Sequence, residues 1–169
     1  MCKWSHVGMI LKLKEYDFLT VWESTTLSNL RDLDTGKLRK GVQLVPLSAR
    51  VNMYDGDIVI RKLEGVTFDN NDIKKLMEFR REVTGRPYEQ DIIELIKAAY
   101  DGPFGLNTED LSSLFCSELV AEAYQRLGLL DESIPSNEYT PRDFSEKGKL
   151  KLLKGRLSEE ILLKDVEDV

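Results

Sequence analysis

The sequence predicts a single α+β domain spanning residues 1–169, in which an antiparallel sheet comes first and helices follow. Three observations predict it. Short β-branched and aromatic segments separated by turn residues fill roughly the first 65 positions, and capped apolar segments with helical spacing come after them. The composition, 41% hydrophobic against 32% charged with 11 Gly and 5 Pro, suits one ordinary core with neither repeats nor linkers.

Residues 7–13 and 18–24 are apolar and partly alternating, and the charged Lys14-Glu15-Tyr16-Asp17 between them predicts a hairpin with a tight turn. Residues 41–47 and 57–63 predict two further strands of the same sheet, with Asp55-Gly56 as a turn signal and Pro46 marking an edge or an end. Asp69-Asn70-Asn71-Asp72 then offers capping oxygens to a helix carrying Ile73, Leu76, Met77, Phe79 and Arg80, which Gly85 and Pro87 stop. Its charged neighbours Lys74, Lys75, Arg80, Arg81 and Glu82 predict a solvated face. A second helix is expected over 89–100 and a third over about 114–127. In the third, Cys116, Leu119, Val120, Ala123, Tyr124 and Leu127 recur at the spacing of one buried face. This places Cys116 inward and in the first turn. The tail is expected to hold a strand at 150–153 and then a loosely ordered acidic end over about 155–169.

Charge narrows the function classes. With 24 Lys and Arg against 30 Asp and Glu, the net charge of −6 argues against nucleic acid as a partner, because gripping a phosphate backbone needs an excess of positive charge. No segment has the roughly 20 apolar residues of a transmembrane helix, and the N-terminus lacks the pattern of a secretory signal. Two cysteines cannot build a disulfide framework, so reduced thiols and a cytoplasmic location are expected. One His and two distant Cys do not make a zinc pattern, and neither a metal nor an organic cofactor is implied.

The chemistry-bearing residues are few. His6, the sole histidine, stands at the mouth of the first strand, and Cys116 at the expected start of a helix, where the partial positive charge and unpaired N–H groups of a helix N-terminus favour a thiolate. A cysteine nucleophile needs a base in hydrogen-bond reach and gains from a polar group that orients the imidazole; Glu23, on the neighbouring strand, can supply the latter. Each residue also has an ordinary role open to it: a core cysteine, a surface histidine near a terminus, a solvent-facing acid. Trp4 and Trp22 flank the candidate site in sequence and suit either a groove wall or plain packing.

Local motifs favour the catalytic role. Ser5-His6-Val7-Gly8-Met9, Trp22-Glu23-Ser24, Gly85-Arg86-Pro87-Tyr88, the run Phe115-Cys116-Ser117-Glu118-Leu119-Val120 and the late Tyr139-Thr140-Pro141-Arg142-Asp143-Phe144 occur in that order. Together they resemble the YiiX-like family of circularly permuted papain-like enzymes, in the NlpC-type superfamily that also includes lecithin:retinol acyltransferase-like proteins. The resemblance implies a permuted papain-like fold, with an antiparallel sheet packed against a helix that carries the nucleophilic cysteine. It implies Cys116 as nucleophile, His6 as general base, Glu23 as the orienting residue and Tyr88 as a tyrosine near the oxyanion pocket; in the mechanism expected from these roles, the backbone N–H of Cys116 is one oxyanion donor and the Tyr88 hydroxyl the second. The activity implied is a cysteine-dependent hydrolase or acyltransferase acting on a peptide, amide or lipid ester through a thioacyl-enzyme. Peripheral lipid contact goes with the acyltransferase relatives. The alternative is an inactive module that keeps the fold for a binding or structural role in a larger assembly. Family members also carry a further strand ahead of S-H-V-G, so order in the first six residues is where the resemblance is most exposed to test.

Overall fold

The computed structural model describes residues 3–86 and 108–166, the first eight of the latter stretch by backbone only. Tyr88, the helix expected over 89–100, Pro87 and Cys2 lie outside the described residues.

Strands β1 (Met9–Leu11), β2 (Thr20–Thr25) and β3 (Gly41–Pro46) form an antiparallel sheet in the order β1-β2-β3. Met9 faces Trp22 across the hairpin, and Glu23 faces Gln43 on the other side. The hairpin is present as expected, but residues 12–19 all lie between its strands, so the connection is longer than a tight turn. Pro46 ends β3, which lies at an edge of the sheet. β2 is central and buried along its whole length. Because side chains alternate along a strand, Trp22 and Glu23 leave it on opposite faces, and Glu23 lies beside Gln43.

From Pro46 the chain turns directly into a short helix, α1 (Leu47–Met53), which the sequence did not announce. Its buried residue is an arginine, Arg50. β4 (Ile58–Ile60) and β5 (Leu63–Glu64) follow, and here the four-stranded sheet expected from the sequence is corrected. Neither strand joins the first sheet: β4 pairs with β7 (Ile161–Lys164), and β5 with β6 (Arg156–Leu157). The strand expected at 150–153 is corrected as well: those residues form none, although Leu153 N–H bonds to the Leu129 carbonyl at 2.8 Å, and the tail's strands lie instead at Arg156–Leu157 and Ile161–Lys164.

Helix α2 (Asn70–Val83) begins and ends where its capping residues say. The Asp69 carboxylate accepts from the N–H groups of Asn71 and Asp72 at 2.8 Å each, and the Asp72 side chain returns the bond to the Asp69 N–H. Gly85, at φ +75°, supplies the left-handed residue that closes the helix. The charged face is not wholly solvated, since Arg80 is buried.

Helix α3 (Thr108–Arg126) packs on β2 and on α2, and the six residues of its expected apolar face are all buried. Trp22 meets Phe79 edge-on at 5.7 Å in the core that α2, α3 and the sheet enclose. Helix α4 (Pro141–Phe144), with its Thr140–Asp143 capping box, places Phe144 edge-on to Tyr124 at 5.8 Å. The described residues thus form a mixed α+β domain of small antiparallel sheets and four helices.

Candidate functional site

The site forms where the segment ahead of β1 crosses β2 and meets α3. Gly8 makes the crossing possible. A Cβ added there would stand 3.1 Å from the Cβ of Glu23 and 3.2 Å from the Trp22 carbonyl oxygen, so the S-H-V-G glycine lets the backbone come close enough to bring His6 over the Glu23 carboxylate. The start of the chain is held as well: Lys3 pairs with Asp57 at 2.9 Å, and the Trp4 indole donates to Glu160 at 3.0 Å. Trp4 is therefore tied to the C-terminal strands, and Trp22 lies in the core instead of lining a groove.

His6 is the hub. Its Nε2 meets the Glu23 carboxylate at 2.6 Å, and its ring also hydrogen-bonds Cys116. Three residues separated by 17 and then 93 positions of sequence thus make one continuous line. Glu23 is 3% exposed at its side chain, His6 25%, and Cys116, a reduced thiol, 0%. Burial works against a charged imidazole, but the hydrogen bonds to Cys116 and Glu23, and the charges of those groups, outweigh it and push His6 up to about 10. For Glu23, burial again opposes the charge, yet His6 and the Arg50 guanidinium hold the carboxyl below the usual carboxylate range.

The other carboxylate oxygen has a partner that sequence reasoning missed. Arg50 Nε donates to Glu23 Oε1 at 2.6 Å, Nη1 to Asn29 Oδ1 at 2.9 Å and Nη2 to Gln43 Oε1 at 3.0 Å. Gln43 in turn donates to the carbonyls of Leu27 and Arg39. No local signal marks Arg50: Leu47-Ser48-Ala49-Arg50-Val51 follows Pro46 with no N-cap side chain to announce a helix.

One sequence-based expectation is overturned. α3 starts at Thr108, so Cys116 lies eight residues into it and not in its first turn. At that depth the N–H of residue 116 is taken by the carbonyl four residues back, and the pull of the helix dipole has faded. The backbone N–H of Cys116 is thus no oxyanion donor, and the cation beside the sulfur is His6 rather than a helix terminus. α3 is positioned from its far side: the buried Ser117 hydroxyl donates to the Tyr139 carbonyl at 2.6 Å, joining the cysteine helix to the late Y-T-P-R-D-F motif.

A cavity of about 1610 Å³ has His6, Glu23 and Arg50 in its wall beside apolar residues such as Leu76, Val120 and Tyr124, while Cys116 lies buried behind that wall. Among the described residues, no cluster of three or more His, Cys, Asp or Glu has the arrangement of a metal site, and no helix is long and apolar enough to cross a membrane. Comparisons of the chain with family models, with curated proteins and with solved structures return no match.

Proposed function

We propose that this chain is a cysteine-dependent hydrolase of amide or ester bonds, with Cys116 as nucleophile, His6 as acid and base, and Glu23 as the group that orients His6. The observation that carries this is the position of the only imidazole in the chain, hydrogen-bonded to Cys116 on one side and to a buried carboxylate on the other. The Cys116 thiol passes its proton to His6 as its sulfur attacks the carbonyl carbon, forming a C–S bond while the carbonyl electron pair moves to oxygen. When that pair returns, the bond to the amine or alcohol breaks and the His6 imidazolium gives the leaving group its proton. Neutral His6 then takes a proton from water, which attacks the thioester and frees the acid and the thiol. Nothing in this sequence calls for a metal or a redox group. The peptide, amide and lipid ester classes all satisfy the chemistry.

A second reading, an inactive module with a binding or structural role, is favoured by the complete burial of Cys116. One experiment separates the two. The native chain is mixed with p-nitrophenyl acetate, an ester small enough to enter a tight site, and followed by intact-protein and peptide mass spectrometry. The expected result is a single acetyl group on Cys116, formed faster than on the urea-unfolded chain and lost in Cys116→Ala and His6→Ala. An adduct that forms no faster than in the unfolded chain, or equally fast without His6, overturns the hydrolase and leaves the inactive module.

A further inference from the structure

We propose that Arg50 is a positioning residue of this site, whose guanidinium, anchored by Asn29 and Gln43, keeps the Glu23 carboxylate charged and turned toward His6. The inference rests on the hydrolase reading for its purpose, but its geometry stands independently.

Glu23 is held by both oxygens, Oε2 on His6 and Oε1 on Arg50, at 2.6 Å each. A carboxylate gripped at both ends cannot rotate about its last torsion, so the imidazole it holds is also fixed in angle. The guanidinium is equally constrained, because its three nitrogens reach three acceptors on three separate pieces of chain: β2, β3 and the loop at Asn29. A lysine at this position could not span all three.

Charge gives the second argument. The titratable and charged groups that face Glu23 are His6 from the segment ahead of β1, Arg50 from α1 and, beyond the imidazole, Cys116 from α3; β3 contributes the neutral Gln43. The buried Glu23 charge is met from both sides, by His6 on Oε2 and by the Arg50 guanidinium on Oε1, and Arg50 is the one fixed in place by two further acceptors. Without that cation the buried carboxylate relaxes by taking up a proton, which leaves His6 Nε2–H facing a neutral, weaker acceptor and loosens the ring.

The single histidine makes this measurable without a substrate. The far-downfield proton of the His6 Nε2–H···Glu23 bond is followed by nuclear magnetic resonance as the full-length protein is acidified, and its loss marks protonation of Glu23. In Arg50→Gln the midpoint is expected to rise by about one to three pH units. In Arg50→Lys, which keeps the charge but loses the fork, it stays near the wild-type value while the signal broadens. If Arg50→Gln does not fold, Asn29→Ala, a change at an exposed anchor, is expected to move the midpoint in the same direction by a smaller amount. An unmoved midpoint in the folded Arg50→Gln protein, or failing that in Asn29→Ala, overturns the inference even where the acetyl adduct forms on Cys116. A missing adduct with a shifted midpoint would instead remove the hydrolase and leave Arg50 as the keeper of the Glu23 charge.

Discussion

Among the described residues, two arginines are buried against carboxylates, and they are built differently. Arg50 has an acceptor for Nε and for both terminal nitrogens, and its Glu23 partner is 3% exposed. Arg80, on α2, reaches Asp34 at 2.5 Å and makes a long contact with Met77 Sδ at 3.7 Å, while its Nε is buried without a hydrogen-bond partner, and Asp34 is 20% exposed. A saturated guanidinium fixes the orientation of what it holds; one with an idle donor fastens a helix to a loop and tolerates slack. Similar ionic groups therefore serve direction in one region and attachment in the other.

The sharpest break in that comparison is the loss of each arginine in turn. Arg50→Met strands a buried carboxylate and is expected to cost about 3 to 5 kcal/mol in urea unfolding. Arg80→Met, with a partner in contact with water, is expected to cost about 1 to 2 kcal/mol and to leave acetylation of Cys116 unchanged. Equal losses for the two would erase the distinction.

Next in size is Gly8→Ala. Its new methyl group meets the Cβ of Glu23 and two further β2 atoms at 3.1 to 3.2 Å, so the strand must give by a few tenths of an ångström. A destabilisation of about 1 to 3 kcal/mol is expected, together with slower acetylation of Cys116, because the carboxylate and His6 move apart.

The pH dependence follows from the same line of residues. His6 is raised from its ordinary value of 6.5 to about 10, so the stability it contributes is complete below about 6.5 and is lost as pH rises through about 10. Glu23 is lowered from its ordinary 4.5, so its contribution is complete above about 4.5 and is lost as pH falls through the depressed value. Wild-type stability attributable to the pair should therefore be greatest between about 4.5 and 6.5 and decline on either side. In Glu23→Gln the imidazole is expected to titrate below the wild-type value, read directly from its carbon-bound protons; an unchanged His6 titration would remove Glu23 from the site. The smallest effect is expected at Arg126, which is 40% exposed at its side chain and paired with Glu122 and Glu82. Arg126→Ala should change stability by no more than about 1 kcal/mol, most of it from packing on Phe79.

Much of this site was legible in the sequence because its parts carry local signals. The single histidine follows a polar residue and precedes a glycine at a strand entrance, and Cys116 shares its helix face with five apolar residues. Arg50 was not legible: an arginine on a seven-residue helix looks like surface until the acceptors from β2 and β3 are placed around it. The depth of Cys116 was misjudged for a related reason. Thr108 to Ser113 gave no pattern that set them apart from a loop, whereas the apolar stripe beyond them was plain.

The sequence by itself determined the hairpin, the capping box at Asp69, the stop at Gly85 and the buried face of α3, since each depends on residues within a few positions of one another. Only the tertiary structure decided that β4 and β5 turn away from the first sheet to pair with 156–164, and that Arg50 closes the charge of Glu23. Backbone pairing across about a hundred residues, and the neutralisation of a buried ion, depend on which surfaces meet; no local pattern of side chains encodes that meeting.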